Sequence, residues 1–111
     1  VVIAMTAIGN DYGYENVFAR EIQAIATPAD VIIAITTSGN SGNILKALEA
    51  AKETNVSAIV LTGAGSGMLD DATETLNVPS TDTARIQECH ILIGHIICGI
   101  VEENIFSELK Q

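Results

Sequence analysis

Val31-Ile-Ile-Ala-Ile35 runs directly into Thr36-Thr-Ser-Gly-Asn-Ser41, and a helical pattern opens at Asn43. Five successive apolar residues read as a strand of the buried, parallel kind. The six residues behind them hold four hydroxyls, on Thr36, Thr37, Ser38 and Ser41, and a glycine that lets the backbone close on a ligand. A helix starting behind such a loop turns unpaired N–H groups and a partial positive charge toward it, a setting suited to phosphate. The loop contains neither lysine nor arginine. A small phosphorylated metabolite held by hydroxyls and amides therefore fits better than a nucleoside triphosphate held by a P-loop lysine. The plain alternative is an ordinary strand-to-helix turn with Ser41 as its N-cap.

Outward from this unit, apolar runs predict further strands at Val1–Met5, Ala58–Thr62 and Thr75–Val78. Helical patterns lie at Tyr14–Ala26, Asn43–Thr54 and, briefly, Met68–Ala72, and a long final helix spans Ala84–Leu109. Alternating strands and helices with continuously apolar strands indicate one α/β domain, a doubly wound and mostly parallel sheet flanked by helices. Ligands of such sheets sit at the carboxyl ends of the strands, where Thr36–Ser41 falls. No internal repeat, linker or low-complexity segment interrupts the pattern.

The 111 residues carry a net charge of −9 and are 48% hydrophobic, with a mean hydropathy of +0.36. So acidic a chain repels nucleic acid and anionic membrane surfaces. The apolar excess concentrates in Cys89–Val101, which is apolar all round apart from its histidines and reads as a helix buried on most sides. A domain this small can hardly cover it alone, so a symmetric oligomer packing these helices is expected, with Gly94 and Gly99 allowing close approach. The run Ile91–Val101 is too short to span a bilayer, and no signal peptide is visible. Cys89 and Cys98, nine residues apart, lie on opposite helix faces roughly 13 Å apart along the axis, too far to bridge. Reduced, buried thiols and a cytoplasmic setting follow. The start at Val1, inside a strand-like run, is read as that of a fragment.

Three other motifs have chemical potential. Gly63-Ala-Gly-Ser-Gly67 lacks the third glycine of a dinucleotide fingerprint, Met68 standing in its place, and reads as a turn. Gly9-Asn-Asp-Tyr-Gly13 sets a carboxamide and a carboxylate, Asn10 and Asp11, at the mouth of a helix, either as plain caps or as sugar-hydroxyl contacts. Arg85-Ile-Gln-Glu-Cys-His90, with His95 beyond it, is the only cluster with acid/base or metal potential. A lone histidine in so apolar a stretch is more often a satisfied core residue than a ligand, and Gln87, Glu88 and His90 nearby raise the odds of a site. Glu88 and His95 are nearly eclipsed on a helix. Gln87 and His95 stand about 80° apart and roughly 12 Å along the axis, able to share a metal only if their side chains converge or the first turn is irregular. His90 and His95 are poorly placed to share a ligand, and no strong zinc motif is present.

Together, Gly9-Asn-Asp-Tyr-Gly13, Thr36-Thr-Ser-Gly-Asn-Ser41, Leu61-Thr-Gly63 and Thr83-Ala-Arg-Ile-Gln-Glu88 with His95 resemble the sugar isomerase (SIS) domain and, within it, the phosphoheptose isomerases. The resemblance covers essentially the whole chain in order. Arg-Ile-Gln-Glu followed by the histidine is its specific part. It implies a flavodoxin-like three-layer sandwich and conversion of sedoheptulose 7-phosphate to D-glycero-D-manno-heptose 7-phosphate, toward activated heptose for lipopolysaccharide or other surface glycans. It also implies a cytoplasmic homotetramer with one zinc ion per subunit. By residue match, Thr36, Thr37, Ser38 and Ser41 hold the phosphate and Asn10 and Asp11 contact the sugar. Gln87 touches substrate and metal, and His95 is a metal ligand and acid/base group. The family's N-terminal helices, its first Gly-rich loop and the His- and Glu-bearing helix that completes the zinc site have no counterpart here. Met5 also passes to Thr6 more abruptly than in the family, where a longer loop intervenes. The piece by itself is therefore expected to be inactive. Two other classes share the SIS domain: non-catalytic tetramers that attach to a bacterial replication initiator, and regulatory modules that sense a phosphosugar. His95 favours the isomerase over the first of these.

Overall fold

A computed structural model describes residues 2–65 and 69–109. The chain folds as α1 (Val2–Tyr12), a 3₁₀ turn (Tyr14–Asn16), α2 (Val17–Ile25), β1 (Val31–Ile35), α3 (Gly42–Glu53), β2 (Ser57–Thr62), β3 (Glu74–Asn77) and α4 (Thr83–Leu109). The three strands are parallel in the order β1-β2-β3, with Val31 opposite Ser57 and Ile59 opposite Glu74. All-parallel pairing needs crossovers, and α3 supplies the one between β1 and β2.

The core lies on one face of this sheet. Ala34, Ala58 and Val60 point into a layer closed by Leu48 and Ala51 of α3, with Val56 at its edge. A second cluster, Ala19 and Ile22 against Ala47 and Ala50, fixes α2 on α3. Small residues on both helices let them pack closely. The period-2 alternation of β1 puts Ile32 and Ala34 on that face and Val31, Ile33 and Ile35 on the other.

Four expectations need correction. Val1–Met5 is not a strand: from Val2 the chain is helical through Tyr12 and crosses the Met5–Thr6 join without a loop. A short apolar run does not distinguish helix from strand, and Thr6-Ala-Ile-Gly-Asn10 continues it as helix. Leu69–Ala72 forms turns rather than helix, and Met68, like Ser66 and Gly67 of the glycine-rich stretch, lies outside the described residues. β1 is an edge strand, not a buried one, with Val31, Ile33 and Ile35 exposed at 59%, 45% and 56%. α4 is also largely uncovered: Ile86 and His90 are its only buried residues among those described, and Cys89 is half-buried and Cys98 exposed. The eleven-residue apolar run sits in a longer helix than its own length suggests. By length and composition alone, Thr83–Ser107 could cross a membrane. It is, however, anchored to the sheet through Ile86 and His90 and carries Glu102 and Glu103, charges costly inside a bilayer.

The protruding α4 stretches the molecule to 49 × 33 × 26 Å, with a radius of gyration of 15.3 Å against about 13 Å for a compact chain of this length. Where α4 meets the sheet, space is tight. A Cβ on Gly63 would stand 2.6 Å from Ile86 Cδ1 and 2.8 Å from the Thr37 carbonyl oxygen, whereas one on Gly65 would meet nothing within 4 Å. Gly63→Ala should therefore cost about 1–3 kcal/mol, and Gly65→Ala close to nothing. Thermal denaturation of the two variants side by side checks this, with a drop of several degrees expected for the first alone.

Candidate functional site

The hydroxyl loop leaves β1 as an extension of its ladder, the Thr36 N–H donating to Leu61 O at 3.0 Å. Thr36 is buried, and its Oγ1 accepts from the Gly39 N–H at 3.2 Å and pairs with Ser41 Oγ at 3.2 Å. Gly39 takes a φ of +71°, which suits a residue without a side chain. Thr36 thus braces the loop from inside. Ser38 is exposed and Thr37 and Ser41 are half-buried, so these three residues remain solvent-accessible at the strand end while Thr36 is covered. Ser38 Oγ also accepts from the Asn40 N–H at 3.2 Å.

Ser41 is the N-cap of α3 by position, but its hydroxyl makes no capping bond; its carbonyl oxygen accepts from the Ile44 and Leu45 N–H groups. Of the first-turn amides of this twelve-residue helix, those of Ile44 and Leu45 are thus taken by Ser41 O, and the positive end of the helix dipole lies at the loop. Glu49 and Lys52 sit toward the other end of α3, and Lys52 is held above its ordinary pKa by its hydrogen bond to Asp71, at 3.0 Å.

On the opposite face of the sheet, Ile35 and α4 border a shallow, open hollow of about 470 Å³, lined by Gln87, His90, Ile91, Gly94, His95 and Cys98. The regular helix brings Gln87 and His95 to this one hollow, at the end of the strand that feeds the hydroxyl loop. Both side chains are exposed, so His95 is not a core residue of this chain. Glu88 points elsewhere, paired with Arg85 at 2.8 Å. Asn10 and Asp11 are not among the lining residues. They lie exposed near the end of α1, with Asn10 Nδ2 donating to Asp11 Oδ1 at 2.9 Å. The 3₁₀ turn behind them reaches the start of α3, where Glu15 Cβ would stand 3.9 Å from a Cβ on Gly42.

His90, grouped with Gln87, Glu88 and His95 on sequence, has a structural bond that the sequence did not show. His90 is 3% exposed, and its Nε2–H donates to Thr62 O at 3.0 Å, since a carbonyl only accepts. Its spacing from Ile86, one helical turn earlier and also buried, was the available signal.

Residues 2–63, over half the chain, match the SIS domain. The chain belongs to the SIS domain family. It is 58% identical over 105 residues to phosphoheptose isomerase 2 of Campylobacter jejuni, covering 94% of this chain and 52% of that protein. With phosphoheptose isomerase of Rhodospirillum rubrum the identity is 50% over 104 residues, covering 93% and 55%. The solved phosphoheptose isomerases of Neisseria gonorrhoeae and Francisella tularensis superpose with TM-scores of 0.84 and 0.85 at 46% and 41% identity. These matches cover 90% and 92% of this chain but 57% and 56% of those. The chain thus spans about half the length of its curated relatives, and the three-stranded parallel sheet is part of the SIS α/β architecture.

The internal bracing of the loop has a measurable consequence. Thr36→Val keeps the shape but strands the buried Gly39 N–H and removes the partner of Ser41 Oγ, a loss of about 1–3 kcal/mol. Amide hydrogen exchange at Gly39 and Asn40 should accelerate in this variant, while exchange in β2 stays unchanged.

Proposed function

We propose that the full-length protein is a phosphoheptose isomerase, interconverting sedoheptulose 7-phosphate and D-glycero-D-manno-heptose 7-phosphate in the cytoplasm on the way to surface-glycan heptose. The observation that carries this reading is the placement of Gln87 and His95 on one hollow at the strand end that leads into the hydroxyl loop. The names of relatives at 50–58% identity point the same way.

In this reading Thr37, Ser38, Ser41 and the first amides of α3 hold the phosphate, with Thr36 keeping their geometry. Asn10 and Asp11 meet the sugar hydroxyls. The reaction removes a proton from C1 of the ketose and returns one to C2 through an enediol, while protons shift between O1 and O2. His95 is the acid/base group for one of these transfers, because imidazole exchanges protons near neutral pH. Gln87 orients the substrate oxygens.

Zinc is part of the proposal. A carboxamide oxygen and an imidazole nitrogen are acceptable donors, and Gln87 and His95 share one hollow. Among the described residues no cluster of three or more His, Cys, Asp or Glu side chains is present, so the remaining ligands would come from the rest of the full-length protein. Bound there, the ion would polarise the sugar oxygens.

His95→Gln should leave a folded protein with an unchanged thermal midpoint and lower kcat by about 10²–10⁴. Assay of the full-length protein with sedoheptulose 7-phosphate, with and without chelator, is the direct test. An inactive wild type that still binds the phosphosugar would favour the non-catalytic classes of SIS protein.

The proposal includes a homotetramer. Ile91, Leu92, Ile96, Ile100, Ile105 and Phe106 expose an apolar surface along α4 that water does not favour. The open edge of β1, apolar on both faces, likewise suits a further parallel strand from the rest of the protein. Ile96→Glu should shift the full-length tetramer toward smaller or aggregated species in sedimentation velocity. A well-behaved monomer before mutation would refute the assembly.

A further inference from the structure

The helix that carries Gln87 and His95 is held to the sheet by very little. Of the 27 residues of α4, only Ile86 and His90 are buried among those described, at 2% and 3% exposure. They lie one turn apart on the same side of the helix. Ile86 packs directly over the backbone of Gly63, and His90 Nε2–H donates to Thr62 O. That oxygen also accepts from the Val78 N–H at 2.9 Å, so both its lone pairs are used, one by the end of β3 and one by α4. At the same point above Gly63, where a Cβ would sit, Ile86 meets the carbonyl of Thr37 within the hydroxyl loop.

We propose that His90 is a positioning residue. Its bond to Thr62 O sets the rotation of α4 about its axis, and so the placement of Gln87 and His95 relative to the hydroxyl loop. This rests on the isomerase reading of those residues. Ile86 alone is an apolar contact, which has no directional preference and tolerates rotation and sliding. The histidine bond is directional, and it joins an α4 side chain to the backbone of β2. A misplacement of about 1 Å at a reacting centre costs on the order of 10²-fold in rate. A purely structural filler at this position would be replaceable by any side chain of similar size. Nδ1 is buried and has no partner among the described residues, so a substitute needs to reproduce Nε2 alone.

The test compares His90→Leu and His90→Gln in the full-length protein. Gln carries an amide N–H at about the reach of Nε2, and Leu carries none. His90→Leu should keep the oligomer and hold KM within about threefold, while kcat falls about 10- to 100-fold. His90→Gln should recover kcat to within about fivefold of wild type. His90→Asn, whose amide falls short of Thr62 O, should behave like Leu and serves in its place if Leu does not fold. Equal kcat in the Leu and wild-type proteins would overturn the proposal, as would equal loss in Gln and Leu. A readout free of turnover separates this from the function itself. The ¹⁵N resonances of His95 should shift in His90→Leu and return in His90→Gln. A wild type without turnover would sink the isomerase reading, and the resonances would still decide the role of His90, an unmoved His95 refuting it.

Discussion

The carboxyl end of the sheet is organised by the missing side chain at Gly63. Three pieces of chain occupy the space a Cβ would need: the Thr37 carbonyl of the hydroxyl loop, the Ile86 side chain of α4, and the Ser80 carbonyl ahead of α4. The neighbouring backbone is equally committed. Ala64 N–H donates to Ser80 O, Asn77 Nδ2 donates to Gly63 O, and Thr62 O takes both Val78 N–H and His90 Nε2–H. Close approach and full use of the backbone acceptors come together, because elements this near one another leave no room for water to satisfy them. The loop on one side of β2 and the helix on the other are thereby set against a common reference.

Away from that junction the chain is unfinished as a packing problem. The α2–α3 layer closes a real core over one face of the sheet, but the other face of β1 and most of α4 remain uncovered. A parallel strand with apolar residues on both faces belongs inside a sheet, and a helix apolar all round belongs inside an assembly. The composition therefore specifies more burial than 111 residues deliver, in keeping with relatives about twice as long.

That imbalance explains much of what the sequence made legible. β1, α3 and β2 were readable to within a residue because long periodic or continuously apolar segments flanked by turn residues carry strong signals. Val1–Met5 misled because β-branched residues in a five-residue run look like a strand, while the helix they enter is sustained by residues further along. His95 looked like core because its neighbours are apolar, yet the helix is uncovered at that turn and the side chain is exposed. His90 was read only as a member of the acid/base cluster, because its bond is to a carbonyl 28 residues away, which periodicity does not encode. The hydroxyl loop was recognised, but the division between Thr36 as brace and its three neighbours as solvent-accessible residues depends on burial.

The charge distribution fits the way this loop is built. A chain of net charge −9 repels anions at long range, and no lysine or arginine lies between Val31 and Leu45 to offset this. At physiological ionic strength that repulsion is screened over about 8 Å, whereas hydroxyls and helix amides act at hydrogen-bond distance. A site of fixed dipoles rather than cations discriminates by geometry. In the proposed function it would favour an anion of phosphate size that fills the loop, and it gains little from diffuse polyanions such as nucleic acid, whose binding depends on displacing counterions with cationic side chains. The acidic surface and the cation-free loop thus work in the same direction under the proposed function, disfavouring polyanions while leaving the strand ends open to the small phosphorylated ligand it invokes.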